Sequence, residues 1–184
     1  MAKFDKLRPE KIRAAHSEEL VDHYWGSINY VFSLIKASEL KAGLILSFYG
    51  ILLNFIFQHV SVALDKDASL AFFLFSAGWF ICTALSIYFS IRCFMPRIES
   101  RYDRNMFFFG DIVTKFGDIR QFSKTFYETS LDEEELFDQL GQQIYIISKI
   151  ASYKFRNVNR SLSFLAIGLL LLLGAVVSFL LVNF

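Results

Sequence analysis

Three stretches of the chain run for more than twenty residues without a charge: Ala42 to Leu64, Ala68 to Ile91, and Ser161 to the final Phe184. A helix needs about 20 apolar residues to cross a hydrocarbon core about 30 Å thick. Each run clears that length, and core helices of soluble proteins seldom go so far without a charge. The pattern therefore predicts three membrane spans, 42–64, 68–91 and 161–184. The first two form a hairpin across Asp65-Lys66-Asp67, and the third stands alone at the C-terminal end.

Outside these runs the apolar positions follow a helical period. In the arm, residues 1–41, Leu20, Tyr24, Ile28, Val31 and Ile35 recur at steps of three and four, and a helix is expected to begin near Pro9. In residues 92–160, Pro96 is placed to open a helix, Gly117-Asp118 to break one, and Ser130-Leu-Asp-Glu133 to cap the next as an S-x-x-E box. Leu136, Leu140, Ile144, Ile147, Ala151, Val158 and Leu162 then continue the period into the last span. They predict one helix of roughly 75 Å at 1.5 Å per residue. The expected fold is an all-α membrane protein: three transmembrane helices, as a hairpin plus a C-terminal span, with a helical cytoplasmic region.

Composition agrees with a membrane class. Apolar residues make up 54% of the 184-residue chain and charged residues 20%, and 22 residues are Phe. Disorder is excluded by that hydrophobicity. A net charge of +1 gives no general surface for nucleic acid. Basic residues are placed unevenly: 7 in the first 41 residues, 1 in the hairpin loop, 11 in residues 92–160. The positive-inside rule puts the N-terminus and residues 92–160 in the cytoplasm and the C-terminus outside. The start, MAKFDKLRPEKIR, is too charged for a secretory leader.

The spans carry polar residues in order. Gly43, Ser47, Gly50, Asn54, Gln58 and Ser61 trace one narrow stripe on the first span. Such a stripe faces protein or water inside a bilayer: either helices pack on it, or it lines a wet path in an oligomer. Ser76, Thr83 and Ser90 form a weaker echo on the second span. Gly168, Gly174 and Ser178 are packing candidates on the third.

In the cytoplasmic region Arg97, Arg101 and Arg104 share a helix face. They suit anionic headgroups or a phosphate ligand. With Lys149 and Lys154 they form a candidate nucleotide-phosphate set, beside Tyr145 and Tyr153 as stacking platforms. His16, Glu19 and His23 could share a face, but solvated histidines are the simpler reading, and no metal site is assigned. Cys82 and Cys93 sit at different depths and are not expected to pair. No H-E-x-x-H, G-x-S-x-G, Walker A or G-x-G-x-x-G pattern occurs, so the chain reads as a non-enzyme.

Three segments in order carry a resemblance: Ala37-Ser-Glu-Leu-Lys-Ala-Gly43 leading into a span, Asn105-Met-Phe-Phe-Phe-Gly-Asp-Ile112, and Gln143-Ile-Tyr145 followed by Lys149-Ile150 and Lys154-Phe155. Together with the order of spans, over roughly residues 28–180, they resemble the transmembrane effectors of Pycsar, a bacterial anti-phage system. Glu39 stands where the family more usually has Asp. The resemblance implies a partner nucleotide cyclase acting through its product, cyclic CMP or cyclic UMP as activating ligand, and no other cofactor. It further implies a homo-oligomeric effector that impairs the bacterial inner membrane and arrests growth. The competing readings are a constitutive membrane anchor and a small ion channel unrelated to defence.

Overall fold

The computed structural model describes the backbone of residues 2–64, 69–95 and 104–183, with side chains from residue 17 onward in the first helix and only as far as residue 58 there. Among the described residues five helices follow in order: α1 (Ala2–Leu64), α2 (Leu70–Phe94), α3 (Phe109–Thr114), α4 (Ile119–Leu131) and α5 (Glu133–Asn183). Among the described residues there is no strand. α1, α2 and α5 are each long and apolar enough to cross a membrane. The expected all-α protein with three spanning helices is what the chain forms.

Local chemistry sets most helix ends. The Ser69 hydroxyl accepts from Phe72 N at 3.2 Å and starts α2. Gly117 takes φ +70°, a left-handed value that a side chain disfavours, and Asp118 then caps α4 by accepting from Gln121 N at 2.8 Å. The break expected at this pair is therefore real. The expected Ser130 capping box is not. Ser130 Oγ donates back to Phe126 O inside α4, and Asp132 Oδ1 accepts from Glu134 N and Glu135 N to start α5. Asp132 also closes α4 through its own N–H to Thr129 O. A carboxylate at a helix N-terminus is favoured by charge as well as by hydrogen bonding, so Asp132 takes the position. α1 likewise begins at Ala2, well before Pro9. A proline within a helix costs one backbone bond there, which the long helix absorbs. Pro96, Arg97 and Arg101 lie outside the described residues, as do the side chains of His16 and Ser61.

The chain packs as two units, Met1–Leu34 with Arg97–Ala151, and Ile35–Pro96 with Ser152–Phe184. In the first, aromatic rings link the helices: Tyr24 on Phe137 at 5.4 Å, Trp25 on Phe107 at 5.9 Å, then Phe107, Phe126, Phe122 and the buried Phe116 in sequence. The segment from Asn105 plugs it. Asn105, Met106 and Phe108 are buried, and Asn105 bonds in several directions: its N to Asp111 Oδ2, its Nδ2 to Gln139 O, and its Oδ1 from Phe107 N. Gln139 Oε1 accepts from Met106 N, so the plug is held by buried polar pairs.

In the second unit α1, α2 and α5 pack around Ala42, Ile45, Tyr49, Cys93 and Val158. Glycines allow the close approaches: Gly168 meets Cys82 and Trp79, and Gly174 meets the Phe75 ring. Ser178 Oγ pairs with Ser69 Oγ at 2.9 Å. The packing roles expected of Gly168, Gly174 and Ser178 are thus observed. Large apolar side chains, among them Leu44, Ile51, Phe57, Leu74, Phe80 and Leu170, point outward. An apolar exterior is what a bilayer solvates.

Candidate functional site

Two polar stripes run along the spanning helices, and they face opposite ways. On α1, Ser47, Gly50, Asn54 and Gln58 are exposed, while Ala42, Ile45 and Tyr49 turn inward. Nothing lies within 4 Å of a side chain built at Gly50. Gln58 Nε2 donates to Asn54 Oδ1 at 3.4 Å along the same helix. Helix packing within the unit does not account for this stripe.

On α2 the polar face is the buried one. Thr83, Ser86 and Ser90 are 3%, 0% and 0% exposed. Ser86 and Ser90 meet Ser161 of α5. Ser86 Oγ lies 2.8 Å from Ser161 O and Ser161 Oγ 2.8 Å from Ser86 O, while Ser90 Oγ and Ser161 Oγ are 2.7 Å apart. The echo expected on the second span is the interior seam, with Ser86 as a central member that the seven-residue spacing missed, and Leu162 faces out where Ser161 faces in. The reason is the solvent: lipid accepts Leu freely and offers a hydroxyl no partner, so the polar residue turns toward protein.

A partly buried ion pair, its ammonium sealed and its carboxylate 37% exposed, sits beyond the seam in the same unit. Lys154 Nζ donates to Glu39 Oε1 at 2.7 Å and to Cys93 O at 2.6 Å, and only 6% of its side chain is exposed. It thereby joins α1, the C-terminal turn of α2, and α5. The Cys93 carbonyl is among those a helix end leaves unpaired, so the ammonium satisfies it and the helix dipole together. Cys93 and Cys82 are free thiols. Around this end cations lie over aromatic rings: Arg92 over Tyr88 and Tyr153, Arg160 over Phe89, Lys41 over Phe155. Such a collar of amphipathic side chains suits a membrane–water boundary.

Arg104 and Lys149 belong to the first unit. The Arg104 guanidinium lies 4.6 Å from the Phe116 ring centre, and Lys149 Nζ lies 5.2 Å from that of Tyr145, one turn away. Lys149 and Tyr145 are brought together, whereas Tyr153 and Lys154 fall in the second unit. A groove of about 560 Å³ is lined by Asp22, His23, Gly26, Ser27, Tyr30 and Val31, without a lysine or arginine among them. Glu19 and His23 form an exposed pair at 3.9 Å. Among the described residues no group of three metal-ligating side chains converges.

Comparison with known proteins fixes the family. Residues 23–182 match the Pycsar effector protein domain. The chain is also 28% identical, over 140 residues, to the Pycsar effector protein SaPycTM of Staphylococcus aureus; that match covers 76% of this chain and 84% of the relative. No solved structure matches. The chain belongs to the Pycsar effector family. It is therefore a membrane protein of antiviral defence. Within this Pycsar effector the matched region holds both polar stripes, the Asn105 plug and the Lys154–Glu39 pair. Glu39 and Lys154 come from two separate segments on which the family resemblance rests, and the fold brings them into contact.

Proposed function

We propose that this effector assembles with copies of itself through the outward stripe of α1 and, on a cyclic pyrimidine nucleotide trigger, impairs the bacterial inner membrane and arrests growth. One observation carries the assembly: Ser47, Gly50, Asn54 and Gln58 lie on the exposed side of a spanning helix. Lipid cannot satisfy the remaining donors and acceptors of two amides, and another copy presents the same groups. The positive-inside rule, together with the cation–aromatic collar, supports a cytoplasmic placement of the N-terminus and residues 92–160, with the C-terminus outside. The trigger would be the product of a partner cyclase, cyclic CMP or cyclic UMP. Its phosphate is taken by Arg97, Arg101, Arg104 and Lys149, and Tyr145, 52% exposed, stacks on the base. Tyr153 and Lys154, engaged with Arg92 and Glu39, hold the spans instead.

The test is expression with and without a cyclase making the nucleotide. The parent should grow alone and arrest, with loss of membrane potential, when the cyclase is present. Asn54→Leu with Gln58→Leu should lose both the cross-linked oligomer and the arrest. An unchanged oligomer with unchanged arrest would remove the stripe from assembly, and arrest without any cyclase would remove the trigger.

A further inference from the structure

The seam inside the second unit holds more polarity than packing needs. Ser86, Ser90 and Ser161 satisfy one another, but two of its neighbours do not. The Tyr49 hydroxyl faces those of Ser86 and Thr83, yet neither it nor Thr83 Oγ1 forms a hydrogen bond of good geometry. Both residues are nearly sealed, at 2% and 3% exposed. An unpaired hydroxyl in such a place bears its full desolvation cost. If close approach alone were required, Ala or Val at 83 and Phe at 49 would fill the space without it.

The seam also has two ends. Toward Cys93 it runs up to the Lys154–Glu39 pair, whose ammonium is bonded to the Cys93 carbonyl. From Thr83 to Cys93 is ten residues, about 15 Å of helix. One turn further along α2 from Thr83, the buried Trp79 packs where Gly168 of α5 comes close. The hydroxyls thus occupy a closed stretch between an ion pair and an indole. No comparable row lies on the outward stripe, where the amides bond along their own helix.

We infer that water and small ions cross the activated effector along this hydroxyl seam, lined by Tyr49, Thr83, Ser86, Ser90 and Ser161, and that Lys154–Glu39 and Trp79 shut its two ends in the resting state. The inference rests on the membrane-impairing function proposed above. The seam is the lining, and the outward stripe is the contact between copies. Hydroxyls and a tyrosine offer both donors and acceptors to water along the whole row, which aliphatic faces do not. Opening requires Lys154 to leave Glu39 and Trp79 to leave Gly168, and the orphaned hydroxyls then gain the partners they lack.

The test uses the full chain in lipid vesicles with cyclic CMP or cyclic UMP as the trigger. In a parent carrying Cys82→Ala and Cys93→Ala, single cysteines are placed at Ser86, Thr83 and Asn54 and exposed to a water-soluble, cationic methanethiosulfonate. Ser86→Cys and Thr83→Cys should react at least tenfold faster after the trigger, and the reaction should cut the ion leak. Asn54→Cys should react slowly in both states. Thr83→Val, nearly the same shape without the orphaned hydroxyl, should keep the oligomer and lower the leak several-fold. A leaking parent whose Ser86→Cys and Thr83→Cys stay unreacted, or a Thr83→Val protein leaking like the parent, would overturn the seam while leaving the effector function standing. A parent that binds the trigger and never leaks would overturn both.

Discussion

The outward stripe of α1 and the inward seam of α2 are built from similar residues at similar helical spacing, yet they answer different needs. The seam is made of short hydroxyls, which reach a neighbouring backbone carbonyl across a tight helix contact, as Ser86 reaches Ser161 O. The stripe is made of glycine, serine and two amides, whose longer arms reach further than a close contact within the unit allows. Lipid is indifferent to leucine and hostile to both stripes. A spanning unit can therefore hide one polar face in its own interior and leave the other for a partner. Inside-versus-outside is decided here by hydrogen-bond reach, not by hydrophobicity.

The comparison breaks most sharply at the Lys154–Glu39 pair. Glu39→Leu leaves the sealed Lys154 ammonium without its carboxylate, and because Glu39 is itself partly exposed the loss should be about 2–3 kcal/mol, the upper range for a hydrogen bond to a charged group. The melting temperature in detergent should fall accordingly. Glu39→Leu combined with Lys154→Met should recover most of the loss, because no charge is then stranded. A double variant as unstable as the single would show that the pair is not the coupling element. Next in size is Ser161→Val, which strips Ser86 and Ser90 of their partner and forces methyls into a site with no exposure. It should cost about 2 kcal/mol of stability in the single chain. Equal stability to the parent would mean the seam is dispensable to the fold. The smallest effect on the single chain is expected from Asn54→Leu. An exposed amide bonded only along its own helix should contribute less than about 0.6 kcal/mol, the average for an interhelical bond in a bilayer. A large drop in monomer stability would place that residue inside the unit, contrary to the stripe's outward direction.

Much of this arrangement was legible in the residues. The charge-free runs located the three spanning helices, the period from Leu136 onward predicted that α5 continues into the last of them, and Gly117-Asp118 marked the break before α4. The period ends on Leu162, whereas Ser161 beside it is the buried residue, because a membrane reverses the rule that apolar residues turn inside. It ranked the α1 stripe above the α2 seam for the related reason that amides are more conspicuous than serines. Ser130 was preferred to Asp132 by motif, although a carboxylate two residues on is the stronger cap. The contact of Lys154 with Glu39 spans 115 positions in the chain, and no local pattern reports such a pairing.

The serine seam also has a history in time. Ser86 and Ser90 are synthesised 75 and 71 residues before the Ser161 they bond. At roughly 5–20 residues per second, that is a delay of about 4–15 s. For much of it the hairpin's hydroxyls are unpaired. The helix that pairs them is made after the hairpin. A nascent hairpin beside a finished neighbour meets two versions of the same α5, its own and the neighbour's, and only its own is still absent. Ribosomes spaced closely on one message would therefore favour exchange of α5 between copies, so that the rate of translation becomes one of the variables that decide whether each chain closes upon itself.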